Sequence, residues 1–178
     1  MIPEDQHRIL PRNIETEVFN KSLPWAYFDG STQEIGCEGG AILYLSETHL
    51  LKLQMGLGQG TNNYAKIMMA KNIIIFALQK NCSNLQLFGD SKLVINWINK
   101  KYNCSVFSLR HILDEIHRLI LHFDSFTCHH IYRERNSVVD HLSKEAVLRD
   151  DNAWLICEDL DGVMYQHYHR PFIDPEAL

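Results

Sequence analysis

The sequence has no hydrophobic run long enough to cross a membrane. Its longest apolar stretch, Ile73–Leu78, is six residues, whereas a helix that spans a bilayer needs about 20. The first ten residues, MIPEDQHRIL, contain no apolar core of the kind found in secretory signals. These absences predict a chain without a signal peptide and without a membrane partner.

Cysteines are few, and none form a CxxC pair. An odd number of widely separated cysteines argues against a disulfide framework and against a structural zinc site. A reducing compartment, cytoplasmic or nuclear, is therefore expected. The five are Cys37, Cys82, Cys104, Cys128 and Cys157.

The chain also lacks an excess of positive charge. It has 17 Lys and Arg against 22 Asp and Glu, which gives a formal net charge of −5. Tight nonspecific binding of nucleic acid through overall charge is thereby excluded, so any such role must depend on a local basic surface or on metal ions. The length of 178 residues, with 46% hydrophobic and 22% charged residues, is typical of one globular domain with its own core.

The pattern of apolar residues changes along the chain. The first part predicts three strands that form an antiparallel meander, with a turn at Asp29–Ser31. From Asn62 to Gln79 apolar residues recur three and four apart, which predicts a helix with Thr61 or Asn62 as N-cap. The strand candidates are Trp25–Phe28, Gly39–Leu45 and His49–Met55.

The second part alternates strands and helices, an order that generates parallel pairing. Together the patterns predict an α/β fold with a mixed five-stranded sheet flanked by helices, followed by a C-terminal β-hairpin that turns at Asp161-Gly162. The expected organisation is a lead-in segment (1–23), the main domain (24–148) and the hairpin extension (149–178). The remaining predicted elements are strand Leu85–Phe88, helices Lys92–Asn99 and Ser108–His122, strand Phe126–Tyr132 and helix Ser137–Leu148.

Three aspartates occupy similar positions in these elements. Asp29 ends the first strand, Asp90 ends the fourth, and Asp140 lies in the first turn of the last helix. Singly, the first two are typical of turns and the third of a helix start. If the first and fourth strands are neighbours, the three carboxylates converge, which is costly unless a cation joins them. Such a cluster is typical of Mg²⁺ sites.

The order of several short motifs resembles the ribonuclease H family, and most closely its branch in plant retrotransposon polyproteins and the genes derived from them. The similarity covers about Trp25 to Leu148. The motifs are Asp29-Gly30-Ser31, Gly39-Gly40-Ala41, Thr61-Asn62-Asn63-x-Ala65, Gly89-Asp90-Ser91-x-Leu93-Val94-Ile95-Asn96 and His130-Ile131-Tyr132-Arg133-Glu134-Arg135-Asn136-x-x-x-Asp140.

This resemblance implies a nuclease that cuts the RNA strand of an RNA–DNA hybrid with two Mg²⁺ ions, or Mn²⁺ in their place. Asp29 would bridge both ions, and Asp90 and Asp140 would each complete one site. Asn62, Asn63 and Ser91 would line the hybrid and read 2′-hydroxyl groups, although the asparagines also suit helix capping. The full set of residues implied to bind nucleic acid is Gly30, Ser31, Asn62, Asn63, Ser91, Arg133 and Asn136.

One position departs from the family pattern. The family motif is Thr-Asn-Asn-x-Ala-Glu, and its Glu is a metal ligand, whereas this chain has Lys66 there. A protonated lysine cannot ligate Mg²⁺. Its ammonium either lies among the three aspartates as an internal counter-ion or extends to solvent on its long stem. Both arrangements predict severe loss of cleavage.

Other charged residues leave alternatives open. Glu34, Glu38 and Glu134 lack the spacing to replace the missing acid, and Glu38 is expected at the surface. A set of basic residues after Asp90 suits either phosphates of the DNA strand or a solvated helix end. The basic residues are Lys92, Lys100, Lys101 and Arg110.

The sequence therefore leaves three functions open. The chain is a degenerate ribonuclease H that retains weak hybrid binding, an active hybrid ribonuclease that tolerates Lys66, or a module repurposed to bind a protein partner.

Overall fold

The computed structural model describes residues 19–145 and 154–169. Two short 3₁₀ turns, Phe107–Leu109 and Arg133–Arg135, precede the last two helices. The strands are β1 (Trp25–Gln33), β2 (Gly36–Ser46), β3 (His49–Gly58), β4 (Asn84–Gly89), β5 (Ser125–His130), β6 (Trp154–Leu160) and β7 (Val163–His169), and the helices are α1 (Asn62–Gln79), α2 (Lys92–Ile98), α3 (Arg110–Ile120) and α4 (Ser137–Glu145).

The strands form one mixed sheet in the order β5-β4-β1-β2-β3-β6-β7. β1, β2 and β3 are antiparallel, as the predicted meander requires, while β4 runs parallel to both β1 and β5. The α/β class is confirmed. The sheet is wider than predicted, because the C-terminal hairpin pairs antiparallel with β3 through β6 and buries Trp154 and Ile156.

The predicted turn at Asp29–Ser31 is wrong. β1 continues through these residues to Gln33, and Gly30 pairs with Gly39 of β2. The Asp-Gly pair is a local turn signal, but here pairing with β2 and packing against a helix override it. The predicted helix Asn62–Gln79 is confirmed, with Thr61 as N-cap: its hydroxyl accepts from the backbone N–H of Tyr64 at 3.1 Å.

The main core lies between the sheet and α1. This helix is apolar on most of its surface, as expected for a helix enclosed on several sides; it packs on β1 and β2 and is covered by α3. Lys71 of α1 forms an ion pair with Glu115 of α3. None of the helices in residues 19–145 and 154–169 is long and apolar enough to span a membrane. The buried residues of α1 include Ile67, Met69, Ile73, Ile74, Ile75 and Phe76.

Two glycines let helices approach the sheet from opposite sides. A Cβ at Gly30 would overlap the backbone of Ala65 and lie 2.7 Å from the backbone nitrogen of Lys66. A Cβ at Gly40 would lie 2.8 Å from the carbonyl oxygen of Val139. Glycine at these positions therefore brings α1 and α4 into direct contact with β1 and β2.

An aromatic cluster lies on the side of the sheet that α4 packs against. Trp25 and Tyr44 stack with centroids 4.7 Å apart and rings 4° from parallel. Phe19 packs against Trp25 and Phe88, so the described end of the lead-in segment belongs to this cluster. Residues 146–148 of the last predicted helix lie outside the described residues.

Candidate active site

The fold brings the three predicted aspartates to one edge of the sheet. β1 and β4 are parallel neighbours, and Tyr27 is paired with Phe88, so Asp29 and Asp90 lie at the same level two residues further on. Asp140 is in the first turn of α4, the helix that packs on β1 and β2. Asp29 is 3% exposed, so its carboxylate is largely removed from water.

Lys66 extends from α1 into this cluster. Its ammonium donates a hydrogen bond to Oδ1 of Asp29, and its Nζ lies 3.6 Å from Oδ1 of Asp90. The side chain is 18% exposed, so it does not extend freely into solvent. Of the two arrangements that the sequence left open, the structure has the internal counter-ion.

A second lysine, Lys144, binds the third aspartate. Its Nζ donates to Oδ2 of Asp140 at 3.1 Å, across one turn of α4. Burial alone would raise the pKa of Asp140, but hydrogen bonds with Lys144 and Asp29 outweigh it and hold that pKa below its ordinary value. Sequence reasoning missed Lys144, although a Lys four residues after an Asp on a helix is a recognisable ion-pair spacing.

The pKa of Asp29 is shifted in the opposite direction, above its ordinary value. Burial raises the pKa of its carboxyl, and the negative charge of Asp90 adds to the rise, while Lys66 opposes both. The charge of Asp29 is thus costly in this buried position, and Lys66 is the group that offsets that cost.

The charges present do not suit a pair of divalent ions. The ammonium groups of Lys66 and Lys144 already offset most of the negative charge of the three aspartates. An ammonium already lies where the carboxylates converge, and a further divalent cation would be repelled by it. Within the described ranges, no group of three or more His, Cys, Asp or Glu side chains has a geometry that could hold a metal ion. The predicted Mg²⁺ or Mn²⁺ pair therefore does not fit these residues.

Asn136 connects two parts of the site. It is 1% exposed, its Nδ2 donates to the backbone oxygen of Phe28 at 3.0 Å, and its own backbone oxygen accepts from the N–H of Asp140 at 3.0 Å. It therefore fixes the start of α4 against the strand that carries Asp29. The sequence implied that Asn136 contacts nucleic acid, but in the structure it is buried.

Three other residues implied to bind nucleic acid have partners within the protein. Oδ1 of exposed Asn62 accepts from the N–H of Thr32 at 2.9 Å. Ser91 caps α2 by accepting from the N–H of Val94 at 3.3 Å. The hydroxyl of Ser31 donates to the backbone oxygen of Ser143 at 3.5 Å.

The other members of that set differ in accessibility. Asn63 is half-buried, and Gly30 is buried beneath α1. Arg133 is exposed, and it is close enough to Asp140 to help lower the pKa of that carboxyl.

The expectation that Glu38 lies at the surface is wrong: it is 8% exposed, and burial raises the pKa of its carboxyl. Its position on β2 turns it toward the α4 side of the sheet, as for Gly40 two residues later.

Comparison with known proteins places this arrangement among related folds. The model of the reverse transcriptase-like family matches residues 58–146, half of the chain. No curated protein sequence matches the chain.

Solved structures match over a larger part of the chain. RNase H1 from the halophilic archaeon Halobacterium salinarum is 24% identical, with a TM-score of 0.65 over 70% of this chain and 96% of that one. The N-terminal RNase H domain of a Mycobacterium tuberculosis protein is 20% identical, with a TM-score of 0.64 over 69% and 91%. LC11-RNase H1, isolated from compost and solved in complex with an RNA/DNA hybrid, is 20% identical, with a TM-score of 0.62 over 70% and 96%. These likenesses show the fold.

Proposed function

This chain belongs to the reverse transcriptase-like family and has the ribonuclease H fold, and from that premise we propose that it binds RNA–DNA hybrids while cleaving their RNA strand very slowly or not at all. The observation that carries the proposal is the position of Lys66, bonded to Asp29 and 3.6 Å from Asp90. We also propose that the chain derives from a plant retrotransposon polyprotein, and the order of its motifs supports this origin.

Lys66 and Asp90 carry opposite charges at short range. Two unit charges 3.6 Å apart interact by roughly 4–5 kcal/mol at an effective dielectric constant near 20. This attraction holds the ammonium between the acids, and a divalent ion would have to displace it. In the related fold, hydrolysis depends on metal ions to activate water and to stabilise the leaving oxygen. With the lysine in place, the carboxylates have no ion through which to act.

Exposed lysines in the segment after Asp90 support binding. Lys92, Lys100 and Lys101 are exposed at the two ends of α2, within the segment that follows Asp90. Lysines placed in this way neutralise phosphates and release counterions from a nucleic-acid duplex. The near-neutral acid cluster also removes most of the repulsion that three bare carboxylates would exert on a phosphate backbone. LC11-RNase H1, which has the same fold, was solved with an RNA/DNA hybrid, and this supports the choice of ligand.

The test is a paired assay of cleavage and binding. The chain and its Lys66→Glu variant are incubated with a labelled RNA–DNA hybrid in Mg²⁺ and, separately, in Mn²⁺, and binding is measured in EDTA by fluorescence anisotropy. We expect the unmodified chain to bind without metal and to leave the RNA intact, and we expect the glutamate variant to cut. Lys71→Glu, on the same helix but paired with Glu115, controls for the change in charge and should not cut.

Two results would redirect the assignment. Cleavage by the unmodified chain at the rate of the glutamate variant would make it an active hybrid ribonuclease. Absence of both cleavage and hybrid binding would remove the nucleic-acid role and favour a protein-interaction module.

A further inference from the structure

The C-terminal hairpin gives the sheet an open edge. β7 is the last strand on its side of the sheet and, among the described strands, pairs only with β6. An unpaired strand of this kind presents a row of backbone N–H and C=O groups to which a further strand can bind. The edge of β7 is therefore a surface with specific hydrogen-bonding capacity.

The register of the hairpin shows which backbone groups of β7 point outward. Leu160 pairs with Val163 across the two-residue turn Asp161-Gly162, in which both residues have positive φ. A turn of this type is closed by a hydrogen-bonded pair. The N–H of Asp161 points to the other side and donates to the backbone oxygen of Thr48 at 2.9 Å, as the alternation along β6 requires. From Val163 onward, every second residue of β7 therefore directs its N–H and C=O away from β6. These residues are Met164, Gln166 and Tyr168.

β7 lacks the features that prevent pairing at other sheet edges. Such edges carry lysine or proline, contain a bulge, or are very short. β7 has seven residues, contains no Lys, Arg, Asp, Glu or Pro, and pairs with β6 in continuous register. Its first three side chains are apolar and about half exposed: Val163, Met164 and Tyr165. This edge is thus long, without formal charge and partly apolar, which suits it to a β-strand partner.

The opposite edge of the sheet is blocked by the end of α2. β5 is the outermost strand there. The N–H of Ile131 donates to the backbone oxygen of Gly89 at 2.9 Å, so by alternation the backbone groups of Cys128 point away from β4. The oxygen of Cys128 already accepts from Nδ2 of Asn99 at 2.8 Å. Of the two edges of the described sheet, β7 is the one open to pairing.

We propose that β7 pairs antiparallel with β7 of a second copy of this chain. Two-fold symmetry makes such an edge self-complementary. With Gln166 on the axis, Met164 lies opposite the partner's Tyr168, and the outward groups of both strands are paired. The absence of acidic and basic residues from β7 lets two copies approach there although each has a net charge of −5. Because the β5 edge is blocked, association ends at a dimer and does not continue into a fibre.

The dimer is independent of nucleic-acid binding. Three strands, β2, β3 and β6, separate β7 from β1, which carries Asp29. Loss of the dimer and loss of hybrid binding are therefore separate results, and neither implies the other.

The first test is sedimentation velocity of the full chain from about 10 µM to about 500 µM, the range in which small interfaces associate. We expect the sedimentation coefficient to rise with concentration to the value of a dimer and no further. Gln166→Pro removes an outward N–H and leaves the hydrogen bonds to β6 in place, so it should weaken association roughly tenfold or more. Gln166→Ala retains the N–H and should dimerise as the unmodified chain does. Circular dichroism establishes that both variants are folded.

Hydrogen exchange of the unmodified chain tests the same strand without a substitution. Raising the protein concentration should slow the exchange of the amides of Met164, Gln166 and Tyr168. The amides of Val163 and Tyr165 already face β6 and should exchange at an unchanged rate. This alternating pattern distinguishes pairing through β7 from association through another surface.

Several results would overturn the inference. One is a chain that remains monomeric at about 500 µM, which is also the result expected if β7 accepts only a strand of a different protein. Assemblies larger than a dimer would show that the β5 edge also pairs. Equal association by folded Gln166→Pro, or exchange of the outward amides that does not depend on concentration, would exclude β7 as the interface.

Discussion

Replacing Lys66 by glutamate should remove the internal cation, so that the stability of the aspartate cluster depends on a bound metal ion. In the native chain the ammonium bonds to Asp29, which is almost fully buried, and lies 3.6 Å from Asp90. Removing one partner of a buried ion pair costs about 3–5 kcal/mol. A fourth carboxylate adds repulsion, so in EDTA the loss in the free energy of unfolding should fall near the upper end of that range.

Magnesium should restore part of this loss in the variant. A ligand that binds only the folded state stabilises it by about 2.7 kcal/mol when its concentration is one hundred times its Kd. For a chain of this length, that corresponds to a rise in Tm of roughly 5–10 °C. The unmodified chain should show no comparable rise, because Lys66 already neutralises the aspartates.

The assay is thermal unfolding followed by far-ultraviolet circular dichroism, with EDTA and with Mg²⁺, for the native chain, Lys66→Glu, Lys66→Gln and Lys71→Glu. The glutamine variant removes the cation without adding a carboxylate, so its stability in EDTA should lie between those of the native chain and Lys66→Glu. Lys71→Glu reverses a charge on the same helix, away from the aspartates, and should lose stability with no response to Mg²⁺. The reasoning is refuted if Mg²⁺ raises the Tm of the native chain as much as that of Lys66→Glu.

Three further changes test other parts of the structure. Glu38→Gln should raise the free energy of unfolding at pH 7 by about 1 kcal/mol, because the charged carboxylate of Glu38 is buried and its Oε2 has no hydrogen-bond partner. Because burial raises the pKa of Glu38, the gain should vanish as the pH falls below the ordinary glutamate pKa, and a gain that persists in acid would contradict this cause. Cys157, half-exposed, should react with a thiol reagent in the folded chain before Cys82, whose pKa is raised by burial to about 11; loss of the fast phase in Cys157→Ser checks the assignment. Asn136→Ala should lower the unfolding free energy by about 1–3 kcal/mol, because the buried backbone oxygen of Phe28 loses its donor; denaturant titration measures it, and an unchanged midpoint would show that the bond contributes nothing.

The sequence was sufficient to predict elements whose local and tertiary preferences agree. α1 begins and ends where the apolar period and the Thr61 cap predicted, because its apolar surface is what the sheet and α3 cover. The alternation of strands and helices also predicted parallel pairing, and β4 runs parallel to β1 and β5. The sequence placed Asp29 beside Asp90 only on the condition that these two strands are neighbours, and the fold meets that condition.

Prediction failed where tertiary contacts decide between two local options. The Asp29-Gly30 pair has the composition of a turn, but Gly30 is needed for the close approach of α1 to β1, and the strand continues. The direction of Lys66 was open for the same reason. Its long side chain can reach solvent or the aspartates, and only the close packing of α1 on β1 brings its amine to Asp29.

The structural role of Asn136 has no signal in the sequence. Its side-chain amide donates to the backbone oxygen of Phe28, which is 108 residues away along the chain. Only the folded chain shows that this bond fixes the start of α4 against β1.

The segment that matches the family model is shorter than the segment that must fold together to form the sheet. The segment matched by the family model begins at residue 58, after β1, β2 and β3, yet β1 is the strand between β2 and β4. A recombinant fragment trimmed to residues 58–146 would keep Lys66, Asp90 and Asp140 but would expose the apolar surface of α1 that the missing strands cover. Such a fragment should be recovered as aggregate, so gene boundaries for expression need to be drawn around the whole sheet.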